Sequence, residues 1–413
     1  MIIRKKYLFY LLAIVSSLIA AVTTGFDTIV GVNFISNPWV FAFSLFFVGS
    51  IVTFIISLIL SARTNEYSLG AKIIDPSFKR IRLVKKEELK YHIIAGLMNA
   101  TNTIGYCALI SMVKEPSVIL AFSQIVILYL IMMESITEKD VPTLVEIQSA
   151  IIVTFGAILA SISLQGEIQS LPLLIVFLVI NPTWAVFSIY QRKLKIMKIH
   201  SKLNDSINIR LWNVIFSCIF TAVLIFIYDI FTGNNYILEG LTASIQYFPW
   251  IALIMGITFF AYVLYIRSLG FGKASISNAI RASTIIFAIP VSFILTAYFG
   301  IPLFSTDPVM LIIKIIGITL IIMGIISYAL TVVKAYIFVT IKPGYPLKET
   351  MQKLWNIKGV THVTITSGKY DFIVKVSTRT LVKGYEKIVR EIEEIPDVQK
   401  YIWASVLKDW EKI

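Results

Sequence analysis

The stretch VMLIIKIIGITLIIMGIISYALTVVKAYIFVTIK, residues 309–342, decides the architecture. As far as Val333 it is an apolar run whose one charge is Lys314, long enough to cross a bilayer. From Lys334 onward charged residues return, and AYIFVTIKP alternates like a strand. The chain before this boundary reads as made for lipid and the chain after it for water.

Composition supports the first half of that reading. Of 413 residues, 57% are hydrophobic and 15% charged, with a mean hydropathy of +0.82, whereas a soluble domain carries about 25% charged residues. A hydrocarbon layer about 30 Å thick takes roughly 20 residues per helical crossing, and only helices or closed barrels satisfy their backbone groups there. The runs are long and continuous, so helices are expected. The spacing predicts ten crossings near Tyr7–Val30, Trp39–Leu60, Tyr91–Val113, Ser117–Ile136, Thr143–Leu164, Leu171–Tyr190, Ile207–Ile230, Phe248–Leu269, Ala274–Phe299 and Val309–Val333. The first is too long for the apolar region of a signal peptide, and further spans follow it.

Charge orients this bundle, because Lys and Arg concentrate in cytoplasmic loops. Arg4, Lys5 and Lys6 precede the first span, the second loop carries basic residues from Arg63 to Lys90, and the sixth carries Arg192 to Lys202. The first, fifth, seventh and ninth loops contain no Lys or Arg. Both termini are therefore expected in the cytoplasm of a multi-pass cell-membrane protein. The formal net charge of +13 is then a topology signal. Basic residues scattered through membrane-flanking loops, without stacking aromatics, do not predict nucleic-acid binding.

Catalytic and metal chemistry find no foothold. Cys107 and Cys218 fall inside apolar spans, and His92, His200 and His362 lack metal-ligand spacing. No phosphate-binding loop or nucleophile elbow is present, so no enzyme, metal or cofactor is expected.

The membrane part repeats itself. YHIIAGLMNATNTIGYCALI from Tyr91 is similar to YFPWIALIMGITFFAYVLYI from Tyr247, pairing Tyr91 with Tyr247 and Tyr106 with Tyr262; further on Gly156 pairs with Gly324. Each half, about 1–165 and 166–333, then holds an odd number of crossings and enters the bilayer in the opposite sense. Inverted repeats of this kind place a substrate site near the midplane.

Function is sought where polar groups sit at membrane depth. Counting about 1.5 Å per residue from each expected interface, Asn102, Asn181 and Thr258 fall near the centre, and Arg281 lies roughly 12 Å inward from the end near Lys273. Ser277, Asn278, Arg281 and Thr284 share one helical face, as do Asn99, Asn102 and Tyr106. Arg281 aligns with Ser123 or Gln124 in the other half; Tyr262 aligns with Tyr106; Pro182 bends the sixth span between Asn181 and Trp184. Membrane asparagines can equally serve as ties between helices. Asp27, Glu134 and Glu146 are expected near the interfaces, so no carboxylate is expected to meet Arg281, and a buried proton relay is not evident, which leaves proton coupling unsupported rather than excluded. Lys314 is a second, weaker candidate clamp.

These ten spans in two five-helix halves resemble the drug/metabolite transporter superfamily, EamA-like branch, over about four-fifths of the chain. The resemblance also rests on the small residues opening the fourth and ninth spans in EPSVILAF and GKASISNAIRAS. The Gly-Glu pair that usually closes those spans is replaced by Met133-Glu134 and Gly300-Ile301. The resemblance implies transport by alternating access.

Beyond Lys334, PLKETMQKLWNI has helical periodicity with Leu347, Met351, Leu354 and Trp355 on one face, and GVTHVTITSG and YDFIVKVST are strands about a tight Gly368-Lys369 turn. A second helix, capped by Thr380, and a last strand in VQKYIWASVLKDW complete βαββαβ, a ferredoxin-like α+β domain over 334–413. This order, with the Lys342-Pro343-Gly344 strand end, the Gly368, Tyr370, Asp371 group and IPDVQKY, resembles the effector-binding domain of the Lrp/AsnC regulators. The resemblance implies homo-oligomer assembly and sensing of amino acids or similar metabolites near Gly368, Tyr370 and Asp371. Asp371 serves there an amino group or a backbone cap, or is equally a plain turn residue. The helix-turn-helix that usually precedes this domain is missing.

The expectation is therefore an all-α membrane transport domain, residues 1–333, carrying an amino-acid-like or anionic metabolite, with a cytoplasmic regulatory tail. The membrane site is expected from Arg281, Asn102, Asn181, Asn278, Gln124, Trp184, Tyr106, Thr258 and Tyr262. Its partners are a small-molecule substrate, lipid and further copies of the chain, with no nucleic acid. The alternatives are a phosphorylated or nucleotide-linked substrate clamped by Arg281 and Lys314, and a membrane sensor that transports nothing.

Overall fold

The structure, a computed structural model, describes residues 5–64, 67–138, 144–160, 170–199, 202–271, 274–300, 307–329, 333–357, 359–378 and 388–405. The chain divides into two compact units, Met1–Ile326 and Ser327–Ile413. Thr143, Leu164, His200, Lys273 and the Thr380 cap lie outside the described residues.

The first unit is helical. It opens with α1 (Lys5–Asn33) and α2 (Pro38–Leu60), followed by a small ribbon of β1 (Arg63–Thr64) and β2 (Tyr67–Ser68) and the short α3 (Leu69–Ile73). Helix α4 (Lys86–Val113) precedes α5 (Pro116–Ser123), α6 (Val126–Glu138) and α7 (Leu144–Ala160). Then come α8 (Ser170–Ile175), a π-helical turn at Val176–Ile180 and α9 (Asn181–Ile196), with a second ribbon of β3 (Lys198–Ile199) and β4 (Lys202–Leu203). The unit closes with α10 (Ser206–Thr232), α11 (Tyr236–Gln246), α12 (Phe248–Leu269), α13 (Ala274–Arg281), α14 (Thr284–Phe299) and α15 (Pro308–Ala329).

Local chemistry sets several of these ends. Asn37 accepts the Trp39 amide at 2.9 Å, and Pro38 supplies a first residue with no amide to satisfy, so α2 begins there. Gly233 and Gly300 adopt φ of +72° and +68° and stop α10 and α14.

Among the described residues, seven helices or helical runs are long and apolar enough to cross a membrane: α1, α2, α4, α8–α9, α10, α12 and α13–α14. The three remaining expected crossings fall on the broken pair α5 and α6, on α7 and on α15. Apolar side chains such as Phe54, Leu58, Ile219, Phe226, Phe293 and Ile312 are exposed on these helices, a surface that lipid covers and water would not. This is a membrane protein.

The sixth expected span is continuous helix, but not a plain α-helix. Pro182 brings no amide, and the turn before it widens to π. Side chains take up carbonyls of the widened turn: Tyr129 donates to Phe177 O at 2.5 Å, Asn102 to Ile180 O at 2.7 Å and Asn181 to Val176 O at 2.9 Å. The fourth and ninth expected spans are each interrupted by two residues, Gln124-Ile125 and Ala282-Ser283. Helix α7 meets α15 at glycines, which let the two backbones approach closely. A Cβ on Gly156 would sit 2.6 Å from Gly317 O, and one on Gly324 would sit 3.0 Å from Ser149 O.

One end of the unit is closed by a polar lock between the 61–85 connection and the α9–α10 connection. Asp75 Oδ2 accepts from Lys195 Nζ at 2.6 Å and from the Ser206 amide and hydroxyl at 2.9 and 2.5 Å, while Lys195 also donates to Asn204 O at 2.6 Å. Arg82 grips Glu88 through two bonds of 2.6 and 2.7 Å and reaches Asn204 Oδ1 at 2.8 Å. Burial pushes the Asp75 carboxyl up, but the Lys195 charge and the Ser206 hydrogen bonds outweigh it and hold it at about 2. Neighbouring Asp205, cap of α10, is raised by burial to about 6 despite two bonds from Asn208. The opposite tie is Lys314 to Glu115 at 2.6 Å, both side chains mostly buried. Lys314 is therefore an ion-pair partner of the α4–α5 junction, not a free clamp.

The second unit begins with β5 (Val333–Ile341), α16 (Leu347–Asn356), β6 (Val360–Ile365) and β7 (Phe372–Thr378), and ends with β8 (Val398–Ser405) after a helical segment at 388–393. The sheet is antiparallel, in the order β6–β7–β5–β8, a ferredoxin-like arrangement with the first strand inside. Alternation puts Ala335, Ile337 and Val339 of β5 with Val374, Val376 and Leu354 in the core, leaving Tyr336 and Phe338 on the other face. Contrary to the sequence pattern, Leu347 and Trp355 are exposed; the buried side of α16 is Thr350 and Leu354. Thr350 is drawn in by Asp397, which accepts from its hydroxyl at 2.9 Å and from Lys353 at 2.7 Å. The Lys353 bond holds the Asp397 carboxyl below the usual range.

Candidate functional site

A cavity of about 150 Å³ lies inside the helical unit, with room for on the order of ten waters. It is enclosed by α1, α2, α4, α5, α9, α10, α12 and α13, with Thr284 from the start of α14. Of the nine residues expected to form the membrane site, all but Asn181 line it. Asn181 is fully buried and donates to Phe122 O at 3.0 Å as well as to Val176 O, so it stitches α9 to α5 behind the wall.

Arg281 ends α13, where the helix breaks, and its guanidinium stacks 4.3 Å from the Tyr265 ring and 5.6 Å from that of Trp184. Asn278, one turn earlier, holds both rings: it donates to Tyr265 Oη at 3.0 Å and accepts from Trp184 Nε1 at 3.3 Å. Tyr265 in turn donates to Ser188 at 2.8 Å. The Arg281 Nε has no hydrogen-bond partner, and no carboxylate pairs with the side chain among the described residues. A cation resting on aromatic faces with donors left over has the chemistry to take an anionic group.

The sequence reading missed two charges. Arg210 on α10 is 2% exposed, lies 4.0 Å above the Tyr262 ring and lines the same cavity. Asp27, expected at an interface, also lines it: the carboxylate is buried, with Oδ2 accepting from Tyr106 at 2.9 Å and Oδ1 without a partner. The expectation that no acidic group reaches the cavity is overturned, because α1 continues to Asn33 and Asp27 stands about 9 Å inside its end. Tyr262 lies within electrostatic reach of Asp27, Arg210 and Arg281 together.

Around these charges, Asn102, Thr103, Thr258 and Gln124 add neutral polar groups. Thr258 Oγ1 is buried without a partner, and Gln124 donates to Ser123 Oγ at 3.2 Å at the α5–α6 break. Thr284, placed on one helical face with Arg281 by the sequence, starts the next helix yet still lines the cavity; Ser277 does not.

In the C-terminal unit, Asp371 Oδ2 accepts the Ile341 amide at 2.8 Å and the Asp371 amide donates to Val339 O at 3.0 Å. Asp371 is therefore engaged as a backbone cap. Tyr370 packs on Phe338 with ring centres 5.1 Å apart. The β6–β7 connection runs from Thr366 to Asp371 and is not a tight two-residue turn; Gly368 has no positive φ and open space around it. A shallow hollow on the exposed sheet face is lined instead by Tyr336, Thr361, His362, Thr364, Ile373 and Lys375.

Residues 334–410 match the family described as the Lrp/AsnC ligand binding domain. The C-terminal unit carries an Lrp/AsnC ligand binding domain. Its match begins one residue into β5 and runs past β8, so it takes in every strand of the sheet. No curated protein matches the chain. A solved structure titled "Crystal structure of protein" is similar over 78% of this chain and 94% of its own, at 14% identity and a TM-score of 0.43. Two acids that carried part of the sequence resemblance hold the Lrp/AsnC domain together: Asp397 accepts from the Thr350 and Lys353 side chains of α16, and Asp371 accepts the Ile341 backbone amide of β5.

Proposed function

We propose that the membrane unit transports a small metabolite bearing a carboxylate, amino-acid-like or anionic, by alternating access, and that the Lrp/AsnC domain senses ligand or assembles copies of the chain. The observation that carries this reading is the cavity of about 150 Å³ among apolar helices, lined by polar side chains, with Arg281 and Arg210 held by aromatic rings. Buried cations are costly in a membrane protein and mark pathways for charged solutes.

Ten spans in two inverted five-helix halves fit the packing. Helix α1 lies on α12 as α9 lies on α4, and α2 lies on α12 as α10 lies on α4, so exchanging the halves returns the same set of neighbours. The α7–α15 crossing is reciprocal in detail: Gly156 meets Gly317 and Ile321, and Gly324 meets Ser149 and Val153, at matching spacings. Reciprocity of this kind is the mark of a two-fold relation. Asn102 and Tyr106 face the cavity from α4 as Thr258 and Tyr262 do from α12. These features favour the EamA-like reading, with both termini and the lock of Asp75 and Lys195 on the cytoplasmic side.

Radiolabelled uptake into proteoliposomes tests the proposal. Arg281→Gln is expected to fold and to lose flux of carboxylate-bearing solutes. Unchanged kinetics would remove Arg281 from the pathway, and no flux for any solute, with tight ligand binding by the tail, would establish a sensor instead.

A further inference from the structure

Asp27 calls for an explanation that a fixed anion-binding cavity does not supply. Its side chain is 6% exposed and lines the cavity, one oxygen takes the Tyr106 hydroxyl, and the other is bare. No lysine, arginine or histidine lies within ion-pair distance among the described residues. The titratable and charged groups facing it from neighbouring elements are Tyr106 and Cys107 on α4 and Tyr262 on α12, with Arg281 on α13 and Arg210 on α10 around the same cavity. Helix α5 contributes the neutral Leu120 and Ser123, and the break after it the neutral Gln124.

A carboxylate out of water with a bare oxygen is unfavourable as a lone anion, so it takes up a proton or receives a cation. We propose that Asp27 is the exchange site of the transporter, holding a proton in one half-cycle and the ammonium group of the cargo in the other. The inference rests on the transport reading. Proton and ammonium compete for the same oxygen, so they are carried in turn and never together. When the cavity opens to water and cargo enters, the Asp27 proton leaves to that water and the ammonium takes its place, while the cargo carboxylate goes to Arg281. On the other side the cargo leaves and a proton from that water returns to Asp27. Both crossings occur with the Asp27 subsite neutral. One positive charge moves against each zwitterion carried, so the exchange is electrogenic, and with the membrane potential clamped at zero a difference of one pH unit sustains about a tenfold cargo ratio.

The test uses the full chain in proteoliposomes, with a mixture of radiolabelled neutral L-amino acids as one probe and the corresponding 2-oxo acids, which lack the ammonium, as the other. The unaltered protein is expected to concentrate the amino acids about tenfold per pH unit and to move protons when they are added. Asp27→Asn, which keeps an acceptor for Tyr106, is expected to lose the pH response and the preference for amino acids over 2-oxo acids. Asp27→Glu is expected to keep both, and Tyr106→Phe to shift the midpoint of the pH response without abolishing it. Amino-acid flux without proton movement, or an Asp27→Asn protein with the original pH response, overturns the exchange site and leaves transport standing. Absence of counterflow for every probe at every pH refutes transport itself, and this inference with it.

Discussion

Removing the Lys195 charge by Lys195→Met tests how the closed end of the membrane unit is held. Asp75 and Lys195 are 3–4% exposed and 2.6 Å apart, and the drop of the Asp75 carboxyl from 3.8 to about 2 is worth about 2 kcal/mol at neutral pH. That contribution is present above pH 4 and fades as pH falls through about 2, because the native state holds the carboxyl ionised against protonation. Losing one partner also leaves the other buried and uncompensated, which typically costs about 3–5 kcal/mol. Asp75 keeps its Ser206 bonds in Lys195→Met, so a loss of about 3 kcal/mol is expected, measured by equilibrium unfolding in mixed detergent micelles. Asp75→Asn should cost a similar amount, and the double variant less than the sum by at least about 1.5 kcal/mol. If the two costs add to within about 0.5 kcal/mol, the pair is not coupled and the lock is held by its hydrogen bonds alone.

Gly156→Val is expected to lower stability by about 1–3 kcal/mol, since its Cβ would strike Gly317 O at 2.6 Å and Ile321 N at 2.9 Å. Gly256→Ala, with nothing within 4 Å, serves as the control and should be neutral or mildly stabilising, by up to about 1 kcal/mol, in the same unfolding assay. In the tail, Asp371→Ala strands the Ile341 amide and is expected to cost about 1–2 kcal/mol in thermal unfolding of residues 327–413; an unchanged midpoint would mean that water replaces the carboxylate.

The helices were legible because lipid dictates their length and denies water to their flanks, and the tail because its strands alternate strictly about a small core. Arg281, Asn278 and Thr258 could be found by counting depth along single helices. Asp27 and Arg210 escaped that count. Each lies near an end of its apolar run, where hydropathy places the water boundary, but α1 runs on to Asn33, and at Arg210 the folded 61–85 connection packs over the first turns of α10. The partner of Lys314 is 199 residues away in sequence, beyond any local pattern. The breaks at Gln124-Ile125 and Ala282-Ser283 contain neither Gly nor Pro, so no local signal marks them. Asn181 was misplaced because depth identifies a buried amide but not whether a carbonyl has already claimed it.

The glycine crossing of α7 and α15 has a mechanical meaning. Two helices that approach backbone to backbone at glycines, with the Val153 and Ile321 side chains flanking the contact, have a narrow bearing about which to scissor. Because each contributes a glycine at the equivalent place, swinging one pair of ends apart brings the other pair together by a like amount. The junction is thus a fulcrum, and leverage applied at one rim of the bundle would arrive at the other with its sign reversed.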